Sequence, residues 1–208
     1  MGDSNVGTIK KGCLSTSLGY FNFKLPEDEI VFNFCYKGGA KTRQMLPGSN
    51  NDNNHLAFIM QQTINDFQPH AVLLCIGNND VLKGDETSEM LALRIFNTAM
   101  VLLRRNVSIS FVSILQLLPR YPGARGDVAA YNAAAAYTNR VLLDLCTRGP
   151  RAVHFSIIRF KFPSMSEVAF WNAQKLFNRG GVHLNLLGLR KLMFRLRYII
   201  VLILRFLR

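Results

Sequence analysis

Cations and aromatic rings stand side by side at three places in this sequence. Lys37, Lys41 and Arg43 follow Tyr36, Arg120 and Arg125 flank Tyr121, and Arg179 comes two residues after Phe177. An ammonium or guanidinium pairs with phosphate, and a neighbouring ring stacks on an unpaired base, which is how single-stranded RNA is held. The chemistry requires these loops to converge. If they do not, the same residues are unrelated solvated charges.

The overall charge favours a polyanionic partner. The 208 residues carry a formal net charge of +12, and the excess is lopsided. Residues 1–90 hold seven basic and ten acidic side chains, whereas residues 91–208 hold 18 basic residues against only Asp127, Asp144 and Glu167. Nucleic acid is the commonest polyanion, because neutralising each phosphate releases counterions whatever the sequence. Cys13, Cys35, Cys75 and Cys146 lie far apart with no C-x-x-C pair, a pattern of reduced, buried thiols in a cytoplasmic protein rather than a zinc site. Met1 is followed at once by polar residues, so no signal peptide is expected. The apolar run Tyr198–Leu204 is far shorter than the roughly 20 residues of a membrane span.

Placing those loops requires regular elements on either side. Ile30–Phe34 has the composition of a strand leading into Gly38-Gly39. Leu56, Ile59, Met60, Ile64 and Phe67 recur at helical spacing until Pro69. Ala71–Ile76 is a continuous apolar run, as in a strand covered on both faces. A helix from Thr87 to Arg105, a strand from Ser108 to Leu115, a helix from Asp127 to Cys146, a strand from Ala152 to Ile158, a short helix from Ser164 to Phe177 and a long helix from Leu186 follow. This alternation predicts a single α/β domain over residues 1–208, with a parallel sheet between helical layers. In such sheets ligands gather beyond the carboxyl ends of the strands, and the cation-bearing loops leave those ends.

Four segments follow in order: Gly2-Asp3-Ser4, Gly38-Gly39-Ala40-Lys41-Thr42, Gly77-Asn78-Asn79-Asp80 and Gly181-Val182-His183-Leu184-Asn185. Their order and spacing resemble the sequence blocks of the SGNH (GDSL) hydrolases. The resemblance implies a three-layer α/β/α sandwich of flavodoxin-like topology and an ester-hydrolysing site that needs no metal or cofactor. In that site Ser4 corresponds to the nucleophile, Gly39 and Asn79 to oxyanion donors, and His183 to the base. The chain departs from the family where the chemistry is most sensitive. Three residues before His183, where the family keeps an aspartate, stands Gly180. Losing the acid that orients a catalytic histidine lowers turnover by on the order of 10⁴-fold. Ala40 also replaces a frequent aspartate, and the nucleophile block begins at residue 2 without the hydrophobic strand that usually precedes it. Structural roles would account for the same residues: Gly39 and Asn79 as turn formers, and His183 as a helix cap or core hydrogen-bonding group.

Two SGNH-like groups are especially similar. One is the OSK domain of the insect germ-plasm organiser Oskar, an RNA-binding domain without esterase activity. The other is the esterase domain in the first open reading frame of some non-LTR retrotransposons, which generally keeps the acid. Size, basicity and the missing acid favour the first. That resemblance implies a catalytically inactive domain, with Ser4, Gly39, Asn79 and His183 as remnant positions. It also implies binding to messenger RNA 3′ regions and protein partners in germ granules. Lys37, Lys41, Arg43, Arg120, Arg125 and Arg179 are then the expected RNA contacts, joined by Arg190, Lys191 and Arg195 of the last helix. The rival expectation is an active esterase using a Ser4–His183 dyad, and a third is a protein-interaction module. A core helix with a basic outer rim is the expectation for the last helix, and a membrane-surface helix is its alternative.

Overall fold

The computed structural model describes residues 1–15, 21–28, 30–45, 55–83, 86–120, 124, 126–158, 176–177, 181 and 183–208. Three parallel strands, β1 (Ala71–Leu74), β2 (Phe111–Leu115) and β3 (Val153–Ser156), lie in the order β1-β2-β3. Ala71 is in register with Phe111, and Val112 with Val153. All five residues of β2 are buried, as expected of a middle strand covered on both faces. The hydroxyls of Ser113 and Ser156 satisfy each other across β2 and β3, so the polar groups cost little in this apolar run.

Beyond β1 the pairing continues through single residues. Gly2 bridges Cys75 on one side and Tyr36 on the other, both in parallel. Its N–H donates to the Cys35 carbonyl and its own carbonyl accepts from Lys37 N–H, at 3.0 and 3.1 Å. From one edge to the other, the order is therefore Tyr36, Gly2, β1, β2, β3, with the first segment of the chain lying inside the second. Glycine is required at position 2, where φ is +152° and an added Cβ would sit 1.7 Å from the Cys75 carbonyl oxygen. The strand expected at Ile30–Phe34 is not one. Pairing is confined to residues 35–37, because Gly2 offers only one N–H and one carbonyl to that side, and Val31 and Asn33 are exposed.

Helices cover both faces. Residues Val72, Leu74, Val112, Ile114, Val153 and Phe155 point to one side. There they meet α2 (His55–Phe67), α4 (Ser88–Arg105) and α5 (Val128–Arg148) through Met60, Ile64, Ile95, Ala99 and Leu142. Phe111, Leu115 and Ile158 face the other side. They pack with α1 (Ser4–Leu14) and α6 (Leu186–Leu207) through Val6, Ile9, Cys13, Leu192, Met193 and Leu196. The alternation along β2 thus builds two cores and a three-layer sandwich. A short helix α3 (Asn78–Lys83) follows β1.

Side chains start four of the helices. Asp3 accepts from Asn5 N–H, Thr87 from Met90 N–H, Asp127 from Ala130 N–H and Asn185 from Gly188 N–H. Each bond satisfies one amide that the first helical turn leaves without a partner. Helix α1 was absent from the sequence expectations, although Val6, Ile9 and Cys13 carry its buried face. The expected helix at Ser164–Phe177 lies outside the described residues apart from its last two. None of the described helices is long and apolar enough to cross a membrane.

Candidate functional site

The loops that leave the carboxyl ends of the sheet meet beside Gly2. Asp3 and Ser4 follow the Gly2 bridge, residues 38–42 follow Tyr36, residues 77–80 follow β1 and residues 117–120 follow β2. Most of the contacts between them run through Asp80 and Asn78. The Asp80 carboxylate accepts from Thr42 N–H at 3.1 and 3.2 Å and from the Thr42 hydroxyl at 3.0 Å. Next to it, the Asn79 side-chain amide donates to the Ala40 carbonyl at 3.1 Å. These bonds clip the glycine loop onto the start of α3. Gly39 is exposed at φ +70° with open space around it, a left-handed turn residue.

Asn78 joins the other two loops. Its amide donates to Asp3 at 3.3 Å, and its carbonyl oxygen accepts from Leu118 N–H and the Tyr131 hydroxyl, each at 3.0 Å. From α5, Asn132 brackets the backbone of Arg120, accepting from its N–H at 2.8 Å and donating to its carbonyl at 2.9 Å. Asn139 does the same for Leu117, at 2.7 and 3.0 Å. Seven residues apart, the two asparagines share one face of the helix and fix the segment after β2.

Burial sets the protonation of this cluster. Removal from water raises the carboxyl pKa of Asp3, against hydrogen bonds from Asn5 and Asn78 that lower it. Asp80 is raised for the same reason, opposed first by the bonds from Thr42 and then by the charges of Lys41 and Arg94. Desolvation pushes the Tyr131 hydroxyl up to about 12 and the Cys75 thiol well above its usual value. The thiol therefore stays protonated and is no nucleophile at neutral pH.

The other end of the site is not joined in this way. Ser4 is the first residue of α1, and its carbonyl accepts from the Thr8 hydroxyl at 3.3 Å. Among the described residues no hydrogen bond connects the Ser4 hydroxyl with the His183 ring. The Nδ1 atom of His183 is buried and has no hydrogen-bond partner among the described residues. Gly180, the residue at the position of the family's acid, is outside the described residues. No cluster of metal-ligating side chains occurs among those that are described.

The expected cations fall in several settings. Lys37 is half-buried, Arg43 is exposed, and Lys41 is only 9% exposed. Arg120 is 7% exposed, with its guanidinium 4.4 Å from the centre of the Tyr131 ring. On α6, Arg190 is exposed, while Lys191 and Arg195 are half-buried. Arg125 and Arg179 lie outside the described residues. Sequence reasoning gave a role to Asn79, named Asn78, Asp80 and Thr42 only as members of its blocks, and missed Tyr131, Asn132 and Asn139. The signal for the last two was polar amides seven residues apart on an otherwise alanine-rich helix.

No protein-family model matches the chain, and no curated protein does.

Proposed function

We propose that this chain is an SGNH hydrolase-like domain that has lost its catalysis and binds RNA. The carrying observation is the buried Nδ1 of His183, which among the described residues has no partner to fix the tautomer or to stabilise a charged ring. A serine is activated only when the base that takes its proton is itself oriented. With Gly180 in place of the acid and no bond to Ser4, the histidine has neither support. The parts of the site that position loops have their partners, whereas the parts that would move protons do not.

The RNA reading rests on charge and on one loop in particular. Tyr36 is 42% exposed next to half-buried Lys37, and exposed Arg43 follows within the same loop. A ring and two cations so placed offer a base-stacking platform and phosphate contacts. The resemblance stated above adds messenger RNA 3′ regions, assembled with protein partners into cytoplasmic ribonucleoprotein granules, as the setting. Arg43 and Lys37 are the contacts assigned to the loop, and Arg190 is a further exposed cation.

The test is a salt titration of binding to a single-stranded RNA of about 20 nucleotides, with Lys37→Ala/Arg43→Ala beside wild type. Each phosphate contact on a single strand contributes about 0.7 to the slope of log K against log salt. The double variant should bind more weakly and lower that slope by about 1.4. An unchanged affinity and slope would remove both residues from the interface, and no binding by wild type would end the proposal.

A further inference from the structure

Helix α6 has two apolar faces, and the sheet covers only one. Leu189, Leu192, Met193, Leu196, Ile199, Ile200 and Ile203 are buried against the sheet and α1. On the opposite side Leu187, Phe194, Tyr198 and Leu202 are 44%, 43%, 55% and 58% exposed. With 3.6 residues per turn, these four fall within roughly 80° of arc, so they form one ridge rather than scattered contacts. Phe194 and Tyr198 meet edge to face at 5.1 Å. Arg190 and Arg197 flank the ridge on one side and Arg195 on the other, while Lys191 and exposed Arg205 fall within its arc. The neighbouring helix α1 adds Lys10 and Lys11, and neither helix contains an acidic residue.

We infer that the outer face of α6 docks on an anionic lipid surface, with the Leu187–Leu202 ridge entering the headgroup boundary and the flanking cations on lipid phosphates. An apolar and aromatic centre with basic flanks is the arrangement of helices that lie in a membrane interface. Long basic side chains extend their charged ends towards the headgroups while their stems follow the apolar surface. A second copy fits poorly, because a twofold pairing of this face would bring together two surfaces that carry cations and no acid on these helices. RNA also fits less well. Two leucines occupy the ridge and offer no stacking. The ridge is separate from the Tyr36–Arg43 loop proposed to bind RNA, and only Arg190 is common to the two readings.

Flotation with vesicles tests it. The full chain is mixed with vesicles of phosphatidylcholine alone, or with 30% phosphatidylserine, about the anionic content at which basic segments bind. Wild type should float with the anionic vesicles and not with the neutral ones. Phe194→Ser/Leu202→Ser should lower the bound fraction at least about tenfold, because two of the four ridge side chains are lost, while circular dichroism and RNA affinity stay at wild-type values. Arg190→Gln/Arg197→Gln should bind less and depend less steeply on salt. Three results would overturn the inference: no flotation with anionic vesicles, equal flotation of the Phe194/Leu202 variant, or a ridge variant that loses RNA binding or self-association instead of lipid binding.

Discussion

Asp80 and His183 bring ionisable side chains to the same end of the sheet, yet their surroundings are opposite. The Asp80 carboxylate is met by an amide and a hydroxyl of one residue, Thr42. Its neighbours Asn78 and Asn79 spend their side chains on Asp3, the Ala40 loop, Leu118 and α5. The His183 ring has a buried nitrogen without a hydrogen-bond partner among the described residues. A buried polar group left unpaired costs roughly 1–3 kcal/mol, so evolution towards stability alone would fill such a position or remove it. The contrast teaches that the loops at the carboxyl ends of the strands are held together by side chains that make no use of the histidine.

Breaking the joined half should have the largest effect. Asp80→Ala leaves the Thr42 N–H and hydroxyl buried without their acceptor and should cost about 3 kcal/mol. In urea denaturation this is a clear shift of midpoint, and a change below about 0.5 kcal/mol would mean that the clip does not hold the loop. Next comes the pH dependence. Burial raises the carboxyl pKa values of Asp3 and Asp80 above 3.8, so between that value and the raised one the folded protein holds more protons than the unfolded chain. Their contribution to stability therefore grows as the pH falls from neutral through the raised pKa values towards 3.8, and is lost as the pH rises. Asp80→Asn keeps an acceptor for Thr42 and removes one of these protons. The stability of wild type relative to this variant should increase on acidification, and a constant difference from pH 4 to pH 7 would contradict the assignment. The smallest effect is expected in the unjoined half. Ser4→Ala and His183→Phe should each cost less than about 0.5 kcal/mol of stability, since neither side chain has a hydrogen bond to lose to the other and the second change removes an unpaired buried nitrogen. A larger loss on either substitution would narrow the contrast between the two halves.

Much of the layered fold is legible in the sequence because its signals are long. The apolar runs at 71–76 and 108–115 and the periodic segments at 56–67, 87–105 and 186 onward need no tertiary partner to be recognised, and the structure differs from them only at the ends. The first helix and the Gly2 bridge were not legible. One strand-like segment is three residues long, and its pairing with Cys35, Lys37 and Cys75 reaches as far as the bond between Cys75 N–H and the Met1 carbonyl, 74 positions apart. Ile30–Phe34 shows the converse failure, a β-rich composition without a neighbour to pair with. At the site, motif resemblance located Asn79 and the glycine loop but not the bond between Asp80 and Thr42, because spacing says which loops are near and not which atoms meet. Nor could charge counting tell that Arg120 would be buried on the Tyr131 ring while Arg43 stays exposed.

The most direct measurement of the central claim is hydrolysis of a short-chain aryl ester by purified wild type, compared with Ser4→Ala under the same conditions. The account predicts that both release the aryl alcohol at the same rate, no faster than an unrelated basic protein at equal concentration. Turnover by wild type that disappears in Ser4→Ala would show a working nucleophile and contradict it.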